Sequence, residues 1–246
     1  MAESGALKCA RYAFAPNLYH YCGPDTGGEF GEYVAAEMAD GGLVEHLTKF
    51  ETLFPYLQVI AQANGRVDPF DKQVVEAYWV GNRLLEQVDE KATFAALTTY
   101  QHLPQRLAKK ELKWLMPKID KQARLHHSFH VLNVFTRTGH RTIRHTVETM
   151  DECRISWGEI LSSDVKAQNS KLKLKTQKLI YSGGKLKLVP GEKEVLVAQE
   201  SLVKRLNPGD WVSVHWGIVC DKLSQPVVER LKFYTEYHLK LANETI

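Results

Sequence analysis

Histidine and cysteine carry the chemistry open to this chain, and they gather in four places. The densest is His126-His127-Ser128-Phe129-His130, with His140 and His145 following. On a helix His126 and His130 stand four apart on one face, a spacing that can ligate a metal. On a strand His126, Ser128 and His130 share a face instead. No Glu lies inside the cluster as in a His-Glu-x-x-His zinc protease, so hydrolysis is not suggested. The second place is Met150-Asp151-Glu152-Cys153-Arg154-Ile155-Ser156-Trp157-Gly158-Glu159-Ile160, where one thiol precedes an apolar, alternating run. The third is Pro208-Gly209-Asp210-Trp211-Val212-Ser213-Val214-His215-Trp216-Gly217-Ile218, a turn feeding a strand that holds one imidazole among apolar neighbours. The fourth is Cys9 and Cys22, whose spacing matches no zinc pattern and reads as structural. Cys220, just past His215, reads as a small core residue. Each group also has a plain packing interpretation: a core thiol, a satisfied core imidazole, or helix-end hydrogen bonding for the clustered histidines.

Two kinds of element must position these side chains. The first 148 residues read as helical. Leu43, Val44, Leu47, Phe50, Phe54, Leu57 and Ile60 recur at helical spacing, with a kink expected at Pro55. Asp68-Pro69 reads as the start of a helix carrying Val74, Val75, Tyr78, Leu84 and Leu85. Further helices are expected near 93–103 and 105–115, and the opening segment through Cys22-Gly23-Pro24-Asp25 and Gly27-Gly28 reads as irregular. After about residue 150 the period changes to two. Lys171-Leu172-Lys173-Leu174-Lys175 alternates, 178–181 and 185–189 flank a Ser182-Gly183-Gly184 turn, 194–198 reads as a short strand, and 211–219 as one apolar strand. Ser224 and Pro226 open a last helix lined by Val227, Leu231, Tyr234, His238 and Leu241. The expected fold is α+β: a helical N-terminal domain, residues 1–148, followed by a small OB-like β-barrel with a C-terminal helix, residues 149–246.

Composition narrows the function classes. With 246 residues, 44% hydrophobic and 25% charged, the chain is an ordinary globular one. Its formal net charge of +3 gives no strong field for nucleic acid, and leucines rather than aromatics interleave the lysines of the basic strand. No apolar run is long enough to span a membrane, and the N-terminus has no export signal. Reduced thiols in a cytoplasmic protein are therefore expected. Phosphate loops, dinucleotide glycine patterns and nucleophile-elbow serines are absent from the sequence.

Residues 150–242 resemble the HypC/HupF family of nickel-iron hydrogenase assembly chaperones. The resemblance is carried by Cys153-Arg154-Ile155-Ser156-Trp157-Gly158-Glu159-Ile160, by Gly209-Asp210-Trp211-Val212-Ser213-Val214-His215-Trp216-Gly217-Ile218-Val219, and by Lys222-Leu223-Ser224 before the last helix. Trp157 stands where the family has Pro, and the family's Cys is N-terminal rather than internal. The resemblance implies an OB-like barrel that holds an iron carbonyl-cyanide fragment with a HypD-type scaffold protein and delivers it to the hydrogenase large-subunit precursor. It implies that Cys153 is the iron-binding thiolate and that His215 sits near the iron. Such a protein is a carrier rather than an enzyme, with no nucleic-acid or membrane partner. A soft thiolate suits an electron-poor iron, and a nearby cation such as Arg154 would favour the thiolate. The other expectation, drawn from the residues alone, is a metalloenzyme or redox-active protein using His126, His127, His130, His140 and His145, with the barrel as an interaction module.

Overall fold

The computed structural model describes residues 4–121, 123–134, 138–139, 141–164 and 170–246, and His140 lies outside them. The helices of the N-terminal part are α1 (Gly5–Leu18), α2 (Glu29–Ala35), α3 (Gly41–Thr48), α4 (Leu53–Ala63), α5 (Lys72–Val80), α6 (Glu90–Ala95), α7 (Leu103–Arg106), α8 (Lys109–Asp120), the single turn α9 (His127–Phe129) and α10 (Val147–Cys153). Then come strands β1 (Ser156–Asp164), β2 (Ser170–Ser182) and β3 (Lys185–Val197), the turn α11 (Glu200–Val203), β4 (Trp211–His215), β5 (Ile218–Leu223) and α12 (Gln225–Ala242). The protein is thus mixed α+β: a helical N-terminal part, a five-stranded sheet that closes in a ring in the order β1-β2-β3-β5-β4, and a C-terminal helix. None of the described helices is long and apolar enough to cross a membrane.

Several local expectations change. The opening segment is irregular only over residues 19–28, which hold the expected turns: before them α1 is a regular helix whose Cys9, Ala10, Tyr12 and Ala13 are buried in the main core. Its alanines and its neighbours in space, rather than an amphipathic stripe, make it helical. The expected long helix with a kink at Pro55 is two helices, because Asp40 caps α3 through the Gly42 and Leu43 amides while Pro55 sits in the first turn of α4. The helix after Asp68 starts later, at Lys72, with Asp71 accepting from the Gln73 amide. It ends at Val80, since Gly81 has φ +85° and a side chain there would strike Tyr234.

The sheet shows the same pattern of right type and shifted boundaries. The segments 171–175, 178–181, 185–189 and 194–198 are one long hairpin, β2 with β3, closed by Gly183 and Gly184 at φ +62° and +75°. Leu172 and Leu174 point into the ring while Lys171 and Lys173 point out toward Glu194 and Glu192, at 3.6 and 2.7 Å. The expected strand 211–219 folds back on itself at Trp216-Gly217, both at positive φ (49° and 76°), to give β4 and β5. Inside the ring Ile160, Leu172, Leu174, Val195, Val197, Val212, Val214 and Val219 pack together. The main core runs across both parts: Tyr12, Tyr78 and Trp79 share it with Ile155, Trp157, Cys220, Val228 and Leu231.

Candidate metal centre

The turn that splits β4 from β5 builds the site. It leaves His215 as the last residue of β4, and the Trp216 amide donates to the Glu152 carbonyl at 2.8 Å. Cys153, next in the chain after Glu152, is the last residue of α10. One backbone hydrogen bond therefore brings the thiol and the imidazole side by side from positions 62 apart in sequence. Trp216 is held in its left-handed conformation by the Tyr21 ring, 4.5 Å away between centroids. The start of α10 is set by Thr146 and Thr149, each accepting the other's backbone amide.

The third member comes from the helical part. One ligating atom each of His127, Cys153 and His215 lie within 4.8 Å of one another, and all three residues are buried. His127 Nε2 lies 2.8 Å from the Cys153 carbonyl oxygen, and its Nδ1 lies 3.1 Å from the Tyr78 hydroxyl. His215 Nδ1 lies 2.6 Å from the Tyr12 carbonyl oxygen in α1. A carbonyl only accepts, so these partners assign the ring protons to His127 Nε2 and His215 Nδ1. A ligating histidine whose other nitrogen donates to a carbonyl is the usual arrangement around a protein-bound metal. Burial first, then the neighbouring His215 ring, holds the His127 pKa well below the ordinary histidine value, so the ring is neutral and keeps a lone pair for a metal. A thiolate with two neutral imidazoles suits iron, zinc or another borderline-soft cation.

The three residues line a cavity of about 40 Å³ walled by Pro16, Phe50, Leu53, Trp79 and Val131. That exceeds what one water needs, and His127, Cys153 and His215 all line it. Cys22, Thr52, Thr138, His130 and His145 also line it, and none of its described lining residues is Asp or Glu.

The other sequence-predicted residues go elsewhere. His126 caps α9 and bonds Ser128, away from the three, and its rings neighbour Tyr234 and His238. His130 Nδ1 pairs with the Tyr56 hydroxyl at 3.2 Å. The chain turns through α9 into a wide π-type turn at His130–Val134, so His126 and His130 do not share the face that a regular helix would give them. His145 is an exposed residue at the cavity, Cys22 a half-buried one, and Cys9 is in the core with its pKa raised to about 12 by burial. Cys220 is also a core thiol, raised by burial. Tyr78 and Tyr12 carried no local signal for the site: their roles come from where α5 and α1 pass the ring of strands.

Arg154 does not face the cavity. Its Nε and Nη2 meet Asp151 Oδ1 at 2.8 and 2.7 Å, Nη2 also donates to the Gln177 carbonyl, and the guanidinium lies over the Trp157 ring. Asp151 also accepts from the Leu179 amide, so the pair clamps the end of α10 to β2. Asp151→Ala should strand this buried charge and destabilise the protein by about 3 kcal/mol. Urea denaturation of the purified variant reads this, and an unchanged midpoint would remove the clamp from the account.

No curated protein and no solved structure matches the chain. A family model described only as a family of unknown function, DUF6390, matches residues 1–246, and the protein therefore belongs to that family.

Proposed function

We propose that this protein is a metal-fragment carrier of the HypC/HupF kind, holding an iron carbonyl-cyanide fragment on Cys153 and His215 with His127 as a third donor. In this reading the ring of strands is an OB-like barrel and the cargo is passed to a hydrogenase large-subunit precursor. The observation that carries it is the convergence of Cys153, His215 and His127 within 4.8 Å at an open cavity. Three protein donors leave coordination positions free, which suits a cargo that arrives with its own ligands and must leave again. His127 comes from the helical part, so that part supplies in cis a donor that a two-residue barrel site would need from a HypD-type scaffold.

A second reading has one observation in its favour: three donors and an open position also describe a catalytic zinc. Against it stands the absence of a carboxylate among the described lining residues, which leaves hydrolysis without its usual general base. The test is to purify the full chain from cells making the hydrogenase accessory proteins, then measure iron and record infrared spectra. Cyanide and carbonyl bands with about one iron per chain are expected. Stoichiometric zinc without those bands would favour the second reading and sink the first.

A further inference from the structure

His127 is already engaged, and its partners determine how the site would let go of a metal. This step rests on the proposed three-donor centre. With the ring proton on Nε2 toward the Cys153 carbonyl, the lone pair of His127 is on Nδ1, where the Tyr78 hydroxyl sits 3.1 Å away as the donor. Tyr78 is fully buried and held in place: its ring stacks on Tyr56 at 5.4 Å and meets Trp79 edge-on at 4.8 Å. His215 differs. Its Nδ1 donates to the Tyr12 carbonyl, so its lone pair is on Nε2 and a metal can take it while that hydrogen bond stays intact.

We propose that Tyr78 is a release gate, its hydroxyl competing with the metal for the one lone pair of His127. The site then alternates between a three-donor holding state and a two-donor state on Cys153 and His215 from which the metal is passed on. On loading, the metal takes the Nδ1 lone pair and Tyr78 O–H gives up that acceptor while keeping its proton. On release the O–H to Nδ1 bond re-forms, and no electron or proton leaves the pair. Such a competitor lowers the barrier to surrendering cargo without weakening the two donors that capture it.

The structure also holds an internal control. Tyr56 hydroxyl and His130 Nδ1 form a similar pair, 3.2 Å apart; His130 lines the same cavity but is outside the three-donor group.

The test uses the full chain and cobalt(II) as probe, following the thiolate-to-cobalt absorption band and its decay on adding excess chelator. Tyr78→Phe should hold cobalt longer, releasing it about fivefold more slowly, the factor expected for loss of one competing hydrogen bond. Tyr56→Phe should release at the wild-type rate. In wild type, histidine ¹⁵N NMR should show an unprotonated Nδ1 at His127 whose resonance moves when diamagnetic zinc is added, a readout that needs no variant to fold. Wild-type or faster release from Tyr78→Phe, with the Cys153-dependent band present, overturns the gate and leaves the carrier reading standing. An Nδ1 resonance unmoved by zinc overturns it as well. A wild-type protein that gives no such band overturns the carrier reading itself.

Discussion

On the proposed carrier reading, Cys153→Ser is expected to lower metal affinity by more than about 100-fold. The reason is the donor, not the shape. Serine fits the buried position with little change in volume, but its hydroxyl stays protonated at neutral pH and is hard, whereas the thiolate gives the soft bond that an electron-poor metal needs. Removing groups that merely orient a ligand already costs metal proteins 10- to 100-fold by order of magnitude, roughly, so removing a ligand should cost more. Cobalt titration followed by the charge-transfer band, with circular dichroism as a check on folding, measures this. Retention of cobalt at wild-type affinity in a folded Cys153→Ser protein would show that the thiol is structural.

Mild acid should destabilise the protein, by about 2 kcal/mol between pH 6.5 and 4.5 from His126 alone, with His238 adding to the loss in the same direction. His238 Nε2 accepts from the Arg124 amide at 3.4 Å, so its Nδ1–H donates to Ser128, 2.8 Å away. Ser128 in turn lies 2.7 Å from His126 Nδ1, so both rings are bonded in their neutral form. Burial lowers His126 to about 3 and holds His238 well below the ordinary value. Above about pH 6.5 both rings are neutral folded or unfolded, and the stability is fully present. Between there and about pH 3 the unfolded chain takes up the proton that folded His126 refuses, at about 1.4 kcal/mol per pH unit, and His238 acts in the same sense. Typical domain stabilities of roughly 5–15 kcal/mol leave little margin for that loss. Urea unfolding at a series of pH values gives the proton uptake directly. Uptake of less than one proton per chain at pH 5 would mean that these rings are solvated or charged in the fold.

The sequence determined the class of each half and the identity of two of the three converging donors. Leu172 and Leu174 alternate with lysines and so had to form a strand with one apolar face, and Cys153 and His215 stood in motifs at the edges of strands. Boundaries followed poorly. Trp216 is an unlikely residue for a positive-φ turn, so nothing local announced that 211–219 would double back, and that turn is what aims His215.

What only the tertiary structure decided is which imidazole joins them. His126, His127 and His130 are equal candidates in the sequence, and a regular helix would have paired the first with the last. The chain instead makes a single turn and widens, sending His126 to Ser128 and His238, His130 to Tyr56, and His127 to Cys153. The physical reason is burial. Each buried neutral ring takes a hydrogen-bond partner for one or both of its nitrogens in the dry interior, and the groups that settle this, Tyr78 in α5, Tyr12 in α1 and, through Ser128, His238 in α12, are distant in sequence and meet only when the helical part packs on the ring of strands.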